Sequence, residues 1–222
     1  MNRKKEIIDS ITGISGRYSP YEVFNDWIRC MALSISNGST LFQDKIWEGR
    51  EAEYLNTMQK YNKTEQIALC EMMAYLVETL EDGPDDVLGD IYMRSGMGSK
   101  ITGQFFTPFH LSVLAATMSL ADSIKSFNGE MTTLNEPSCG GGGMIIAAAK
   151  VFHDAGIDYQ KYLRVVAQDL DWKGVYMCYV QLSLLGIDAI CIQGDTLADP
   201  YIPGRTDPAH ILITPARAGM LI

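Results

Sequence analysis

Apolar positions recur at helical spacing through the first half of the chain; in the second half they fall into short runs that alternate with helical stretches. After Ser19-Pro20-Tyr21-Glu22, the residues Val23, Phe24, Trp27, Ile28 and Met31 keep that spacing until Asn37-Gly38. Ser as N-cap, Pro at the first helical position and Glu three residues after the cap predict a helix start. A second helix is expected over roughly Leu41 to Met58. A third is expected from Asn62 to Leu80, with Ile67, Cys70, Met73, Val77 and Leu80 on its inner face. Glu81–Asp86 breaks the pattern. A short helix, Val87 to Met93, leads to a boundary near Ser95-Gly96. Thr107-Pro108 then predicts an N-cap and first-turn proline, opening a helix to about Ala121.

Beyond that point the expected order is strand Met131–Asn135, helix Gly142–Asp154, strand Leu163–Gln168, helix Trp172–Leu185, strand Ala189–Gln193 and strand Ile211–Thr214. Alternation of this kind predicts an α/β architecture, with a mainly parallel sheet and right-handed crossovers. The expected division is a helical region, 1–95, followed by a sheet-bearing domain, 96–222.

Composition narrows the class. The chain has 222 residues, 47% of them hydrophobic and 20% charged, as an ordinary globular protein does. The N-terminal "MNRKKEIIDS" lacks the apolar core of a signal peptide, and the run Met144–Ala149 is interrupted by Lys150, too short for a membrane span. The five cysteines show no C-x-x-C spacing, which predicts reduced thiols in a cytoplasm. No metal-ligand pair is evident around His110, His153 or His210. A net charge of −9 argues against a general electrostatic grip on nucleic acid. The stretch from Glu65 to Asp90 holds eight acids and no Lys or Arg, a solvated face or a partner-facing acidic surface.

Candidate chemistry lies at the carboxyl ends of the strands, where ligands bind in such sheets. "NEPSCGGGGM", Asn135 to Met144, joins the first of these strands to its helix. Four consecutive glycines let backbone approach a ligand, and the helix N-terminus behind them offers free N–H groups suited to a carboxylate or phosphate. A tight turn alone is the plainer alternative. A dinucleotide motif fails, since Gly140 and Gly142 would place Ile145 third, and no P-loop lysine follows. Asp169 ends the second strand and can accept ribose hydroxyls. Asp195 follows the third and can accept from an exocyclic adenine amine. Each acid alone is equally a helix N-cap; with the glycine loop they describe an adenosine pocket.

"GQFFTP" (Gly103–Pro108), "EPSCGGGGM" (Glu136–Met144), "AQDLD" (Ala167–Asp171) and "GDTL" (Gly194–Leu197), preceded by "DDVLGDIYM" (Asp85–Met93), resemble in order and spacing the motifs of the adenine-N6 DNA methyltransferases. The likeness is to the modification subunit of type I restriction–modification systems. It implies a Rossmann-like methyltransferase domain behind a helical region, with S-adenosylmethionine as cofactor. The resemblance places Gly103, Phe105, Thr107 and Pro108 over the methionine end. It places Glu136, Cys139, Gly140 and Gly142 around the methionine moiety, with Glu136 as a candidate for its ammonium. It puts Asp169 on the ribose, Leu170 against the adenine and Asp195 on the adenine amine.

The family's next loop, Asn-Pro-Pro-aromatic, holds a flipped adenine and accepts from its N6 amine. Here the strand Ile211–Ile213 runs into Thr214-Pro215-Ala216-Arg217, which keeps only Pro215. Loss of a positioned acceptor costs on the order of a hundredfold in rate. The expectation is therefore an S-adenosylmethionine-binding protein with impaired or no catalysis on its own. Alternatives are an active subunit that needs a partner for DNA recognition, or a methyltransferase of another substrate class. The resemblance also implies truncation after the fourth strand, leaving an edge covered by a second copy or another chain.

Overall fold

The computed structural model describes residues 3–96 and 105–219. Gly103 lies outside the described residues.

The helical region contains α1 (Arg3–Ile14), α2 (Pro20–Gly38), α3 (Lys45–Met58), α4 (Lys63–Leu80) and α5 (Val87–Arg94). The start of α2 is the expected capping box: Ser19 Oγ accepts from the Glu22 N–H at 3.2 Å, and Glu22 Oε2 accepts from the Ser19 N–H at 2.8 Å. Asn62 and Glu65 repeat the device at α4, with bonds of 3.0 and 2.7 Å. Asp44 caps α3, so that helix starts after the exposed Leu41 and Phe42 and not at Leu41.

Two expectations change here. Helix α1 had no counterpart in the sequence reading, although Ile7, Ile11 and Ile14 form its buried stripe. Its packing on α4 also selects which side of α4 turns inward. The buried residues are Leu69, Met72, Leu76 and Leu80, while Ile67 is 60% exposed and Cys70 faces solvent. Helix α4 is apolar around much of its circumference, so the pattern alone does not choose between neighbouring stripes. The Trp27 indole N–H fixes the choice by donating to the Leu69 carbonyl at 3.1 Å.

The second half comprises α6 (Phe109–Lys125), β1 (Thr132–Glu136), α7 (Gly143–Asp154), the one-turn α8 (Tyr159–Tyr162), β2 (Leu163–Asp169), α9 (Trp172–Leu184), β3 (Asp188–Gln193) and β4 (Ile211–Ile213). Thr107 is not the N-cap of α6. Pro108 takes that position, and no side chain caps the helix. The strand order is β1-β2-β3-β4. Strands β1, β2 and β3 are parallel, with Leu134 beside Val165 and Val165 beside Ala189. Helix α9 lies between the sheet and α2 and is buried over almost its whole surface. One hydrophobic core runs without interruption from Ile7 in α1 to Leu212 in β4. Among the described residues no helix is long and apolar enough to cross a membrane.

The last strand departs from the expected parallel order. β4 runs antiparallel to β3, with Ile192 opposite Ile211 and Ile190 opposite Ile213. The cause lies in the connector 194–210, which contains only a 3-10 turn and no crossover helix. A parallel return needs a crossover, usually helical. Instead the connector is pinned across the carboxyl ends of the strands. Thr196 Oγ1 donates to the Pro137 carbonyl at 2.6 Å. The Gln168 amide donates to the Asp199 carbonyl and accepts from the Tyr201 N–H, both at 3.0 Å. His210 then meets Gln193 at 2.6 Å, at the end of β3. The chain re-enters the sheet from that end, so β4 runs back down β3.

Thr214 therefore lands beside the beginning of β3. It is fully buried. Its hydroxyl donates to the Ile187 carbonyl at 2.8 Å and accepts from the Ala189 N–H at 3.0 Å. Thr214→Val takes the hydroxyl away from both backbone partners in a dry site, and we expect a loss of about 1–3 kcal/mol. Urea denaturation should show it as a lower midpoint at unchanged slope.

Candidate ligand site at the glycine loop

The loop between β1 and α7 is shaped by its glycines. Gly140 and Gly142 have φ of 48° and 91°, which side chains rarely adopt. Space demands the same choice, since a Cβ on Gly140 would lie 2.9 Å from the Phe106 ring. The loop is tied to β2 at two points: the Cys139 N–H donates to the Gln168 carbonyl at 2.9 Å, and the Gly140 N–H donates to Asp169 Oδ2 at 2.7 Å. Asp169 Oδ1 also accepts from the Asp171 N–H at 2.9 Å. Each carboxylate oxygen retains a lone pair for a further donor.

Behind the loop sits Gln181 of α9, fully buried. Its amide nitrogen donates to the Gly141 carbonyl and to Asp86 Oδ1, each at 2.9 Å. Its oxygen accepts from the Leu88 N–H, also at 2.9 Å. One side chain thus fastens the glycine loop to the start of α5. Asp86 is 4% exposed and caps α5 through the Gly89 N–H at 3.0 Å. Burial pushes its carboxyl above the ordinary carboxylate value, and the bonds from Gln181 and Gly89 only partly offset this.

Two cavities meet at Asp86. One, of about 420 Å³, lies between α1, α5 and the start of α6, where Lys4, Phe106 and His110 face it. The other, of about 110 Å³, lies against the glycine loop beside Phe105, Thr107, Ser112, Cys139 and Met144. The larger is within the range of small-molecule sites.

Of the predicted residues, the structure gathers Cys139, Gly140, Gly142 and Asp169 into one cluster, with Phe105, Thr107 and Pro108 alongside. Phe105 is exposed, whereas Phe106 packs on Tyr92 with ring centroids 5.2 Å apart. Glu136 ends β1, and its Oε1 accepts from the Ser138 N–H at 3.2 Å. Leu170 is exposed just beyond β2, its carbonyl held by the Gln193 amide at 2.8 Å. Asp195 lies on the same edge, where its Oδ1 accepts from the N–H groups of Leu197 and Ala198 at 2.9 and 3.2 Å.

Thr214, Pro215, Ala216 and Arg217 are not brought to this edge. The antiparallel β4 delivers them to the amino-terminal ends of the parallel strands. From Ala189, which Thr214 bonds, to Asp195 is six residues of extended chain, roughly 20 Å. Arg217 pairs there with Asp188 at 3.2 Å. Pro215 is buried in the turn. The sequence reading missed Gln181, Asp86 and Ser112. The available signal was a lone Gln inside the apolar helix "VYMCYVQLSLL".

The glycine loop and the acids at the ends of β2 and β3 share one edge of this α/β sheet. The chain belongs to the N-6 DNA methylase family, whose pattern matches residues 84–215. A solved structure described as a class I S-adenosylmethionine-dependent methyltransferase, from Listeria monocytogenes, is similar at 11% identity and a TM-score of 0.48. The similarity covers 90% of this chain and 55% of that one. No curated protein sequence matches the chain.

The raised Asp86 carboxyl has a definite pH signature. Below the unfolded value, about 4 for Asp, the group is neutral in both states. As pH rises, the unfolded state loses its proton first, so folding becomes less favourable until the folded value is passed. Asp86→Asn should therefore gain stability over the wild type as pH rises from about 4 toward neutrality. Thermal melts across that range check it; a gap that is constant with pH would contradict the assignment.

Proposed function

We propose that the chain binds S-adenosylmethionine at the carboxyl edge of β1, β2 and β3, and that alone it is a cofactor-binding unit of adenine-N6 DNA methylation with little or no catalysis. The observation that carries the first part is the Gly140–Asp169 contact, which sets the glycine loop and the ribose acid side by side. The residues suit the cofactor. Gly140 and Gly142 admit backbone close to the ligand, and the N-terminus of α7 offers N–H groups to its carboxylate. Asp169 has acceptor capacity left for ribose hydroxyls, Leu170 offers an apolar surface to the adenine and Asp195 a carboxylate to its amine. Gly103, Phe105, Thr107 and Pro108 would close over the methionine end, with Glu136 and Cys139 at its side. When bound, the cofactor supplies an electrophilic methyl group on a sulfonium.

The second part rests on Thr214–Arg217, which lie at the opposite end of the sheet with their polar groups engaged. The alternative, an active subunit that needs a partner for DNA recognition, draws on the family match reaching residue 215. In either reading DNA would be met through a partner chain of a restriction–modification type assembly. A second copy or another subunit would cover β4, where Ile213 is 45% exposed. The division into 1–95 and 96–222 and a cytoplasmic site of action remain part of this proposal. The unpaired thiols suit a reducing compartment.

Calorimetry should detect S-adenosylmethionine binding that Asp169→Ala weakens at least about tenfold, the scale of a lost bond to a charged group. Absence of heat and of any shift in Tm with the wild type would remove the cofactor from the proposal. Incubated with labelled cofactor and unmethylated DNA, the chain alone should transfer negligible label; clear incorporation would restore a catalytic role to this chain.

A further inference from the structure

Asp86 and Ser112 belong to no motif role considered so far, and both leave polar atoms unused. Asp86 Oδ1 is committed to Gly89 and Gln181. Among the described residues no donor reaches Oδ2. Ser112, in the first turn of α6, is fully buried, and its hydroxyl has no hydrogen-bond partner. An orphaned buried hydroxyl such as that of Ser112 is uncommon and invites a partner.

The two atoms converge on one place. A Cβ added to Gly143 would lie 3.0 Å from Asp86 Oδ2 and 3.9 Å from Ser112 Oγ. Both residues line the cavity at the glycine loop, and Asp86 lines the larger cavity as well. The first residue of α7 is thus a glycine that leaves a hollow between a carboxylate oxygen and a hydroxyl.

The chemistry of the hollow selects a cation with several N–H donors. It offers a carboxylate oxygen and a hydroxyl oxygen that can both accept. Of the basic side chains around the larger cavity, Lys4 is already held by Asp85 at 2.6 Å and Asp90 at 3.1 Å, and Arg94 by Asp90 at 2.6 Å. No group of side chains suited to a metal ion occurs among the described residues. A primary ammonium fits, since it needs acceptors in different directions and a carboxylate to balance its charge.

We propose that Asp86, assisted by Ser112, receives the α-ammonium group of the S-adenosylmethionine amino-acid end. This rests on the cofactor reading above and names the group that holds that end. Glu136 is the weaker receptor because it is only partly buried and its Oε1 is taken by the Ser138 N–H. With Asp86 at the ammonium, the ligand carboxylate falls toward the free N–H groups of α7, so each charge of the amino acid meets its complement. Gly89 and Gly143 are then both required: a Cβ on Gly89 would overlap the Asp86 carboxylate, and one on Gly143 would fill the hollow. The charge-linked cost of keeping a buried carboxylate in the ligand-free protein is relieved when the ammonium arrives.

The test compares two ligands that share an adenosine thioether, S-adenosylhomocysteine with its amino-acid end and 5′-methylthioadenosine without it, each titrated to saturation by calorimetry. Asp86→Asn should weaken S-adenosylhomocysteine at least about tenfold, and leave 5′-methylthioadenosine within error of the wild type. Ser112→Ala should weaken only the former, by a few-fold. Equal affinity of Asp86→Asn and the wild type for S-adenosylhomocysteine overturns the proposal. So does a parallel loss of both ligands, which would make Asp86 a brace for the loop. If Asp86→Asn does not fold, Ser112→Ala decides alone, and unchanged affinity for S-adenosylhomocysteine overturns it. A wild type that binds neither ligand removes the cofactor reading itself and this inference with it, whereas a wild type that binds both with insensitive variants removes only the inference.

Discussion

A single buried amide holds the site together. Gln181 reaches from the middle of α9 to the Gly141 carbonyl, the Asp86 carboxylate and the Leu88 N–H. Three elements distant in sequence are fixed by one residue: the glycine loop, the start of α5 and the central helix. A fully buried amide must satisfy its donors and its acceptor, because in low dielectric an unpaired polar group is costly. That requirement makes the geometry specific in a way that apolar packing does not. With the loop in place, Gly140 faces Phe106 and Asp169, and the N-terminus of α7 opens onto the cavity. The helical region is a structural part of this arrangement, since Asp86 precedes α5 and α2 covers the outer face of α9.

A second constraint decides where the chain's last described strand goes. The connector after β3 is bonded to Pro137 and Gln168 across the strand ends, so it cannot travel round the sheet to start a parallel strand. It returns from the edge on which the glycine loop lies, and β4 leaves that edge behind. The same few hydrogen bonds therefore hold the connector across the strand ends and carry Thr214–Arg217 away from that edge. Thr214 is left to stitch the beginning of β3, and Arg217 to share Asp188 with Arg164. The glycine loop and Thr214–Arg217 are separated here by the length of a strand.

Local signals in the sequence translated well where they are enforced by nearby atoms. The capping box at Ser19 formed as read, because it uses residues three apart. The strand–loop–helix units around Glu136–Met144 and Ala167–Asp171 also formed, since glycine permits positive φ in the first and Asp171 caps the helix in the second. Boundaries and faces were less legible. Helix α4 presents apolar residues on adjacent stripes, and only α1 and Trp27 show which one is inside. Pro108 displaced Thr107 as the cap of α6 because no side-chain bond formed to hold Thr107 there. Gln181 and Asp86 were invisible as partners, being ninety-five positions apart, with nothing in either local pattern to link them.

By itself, the sequence determined the helical first half, the alternation of strands and helices that builds a mainly parallel sheet, and the glycine loop after the first strand. These follow from periodicity, turn chemistry and strand-end position, which act over a few residues. Only the tertiary structure decided the direction of β4, the position of Thr214 and the pairing of Asp86 with Gln181. Each depends on which distant polar groups must satisfy one another once buried, and no spacing along the chain encodes that.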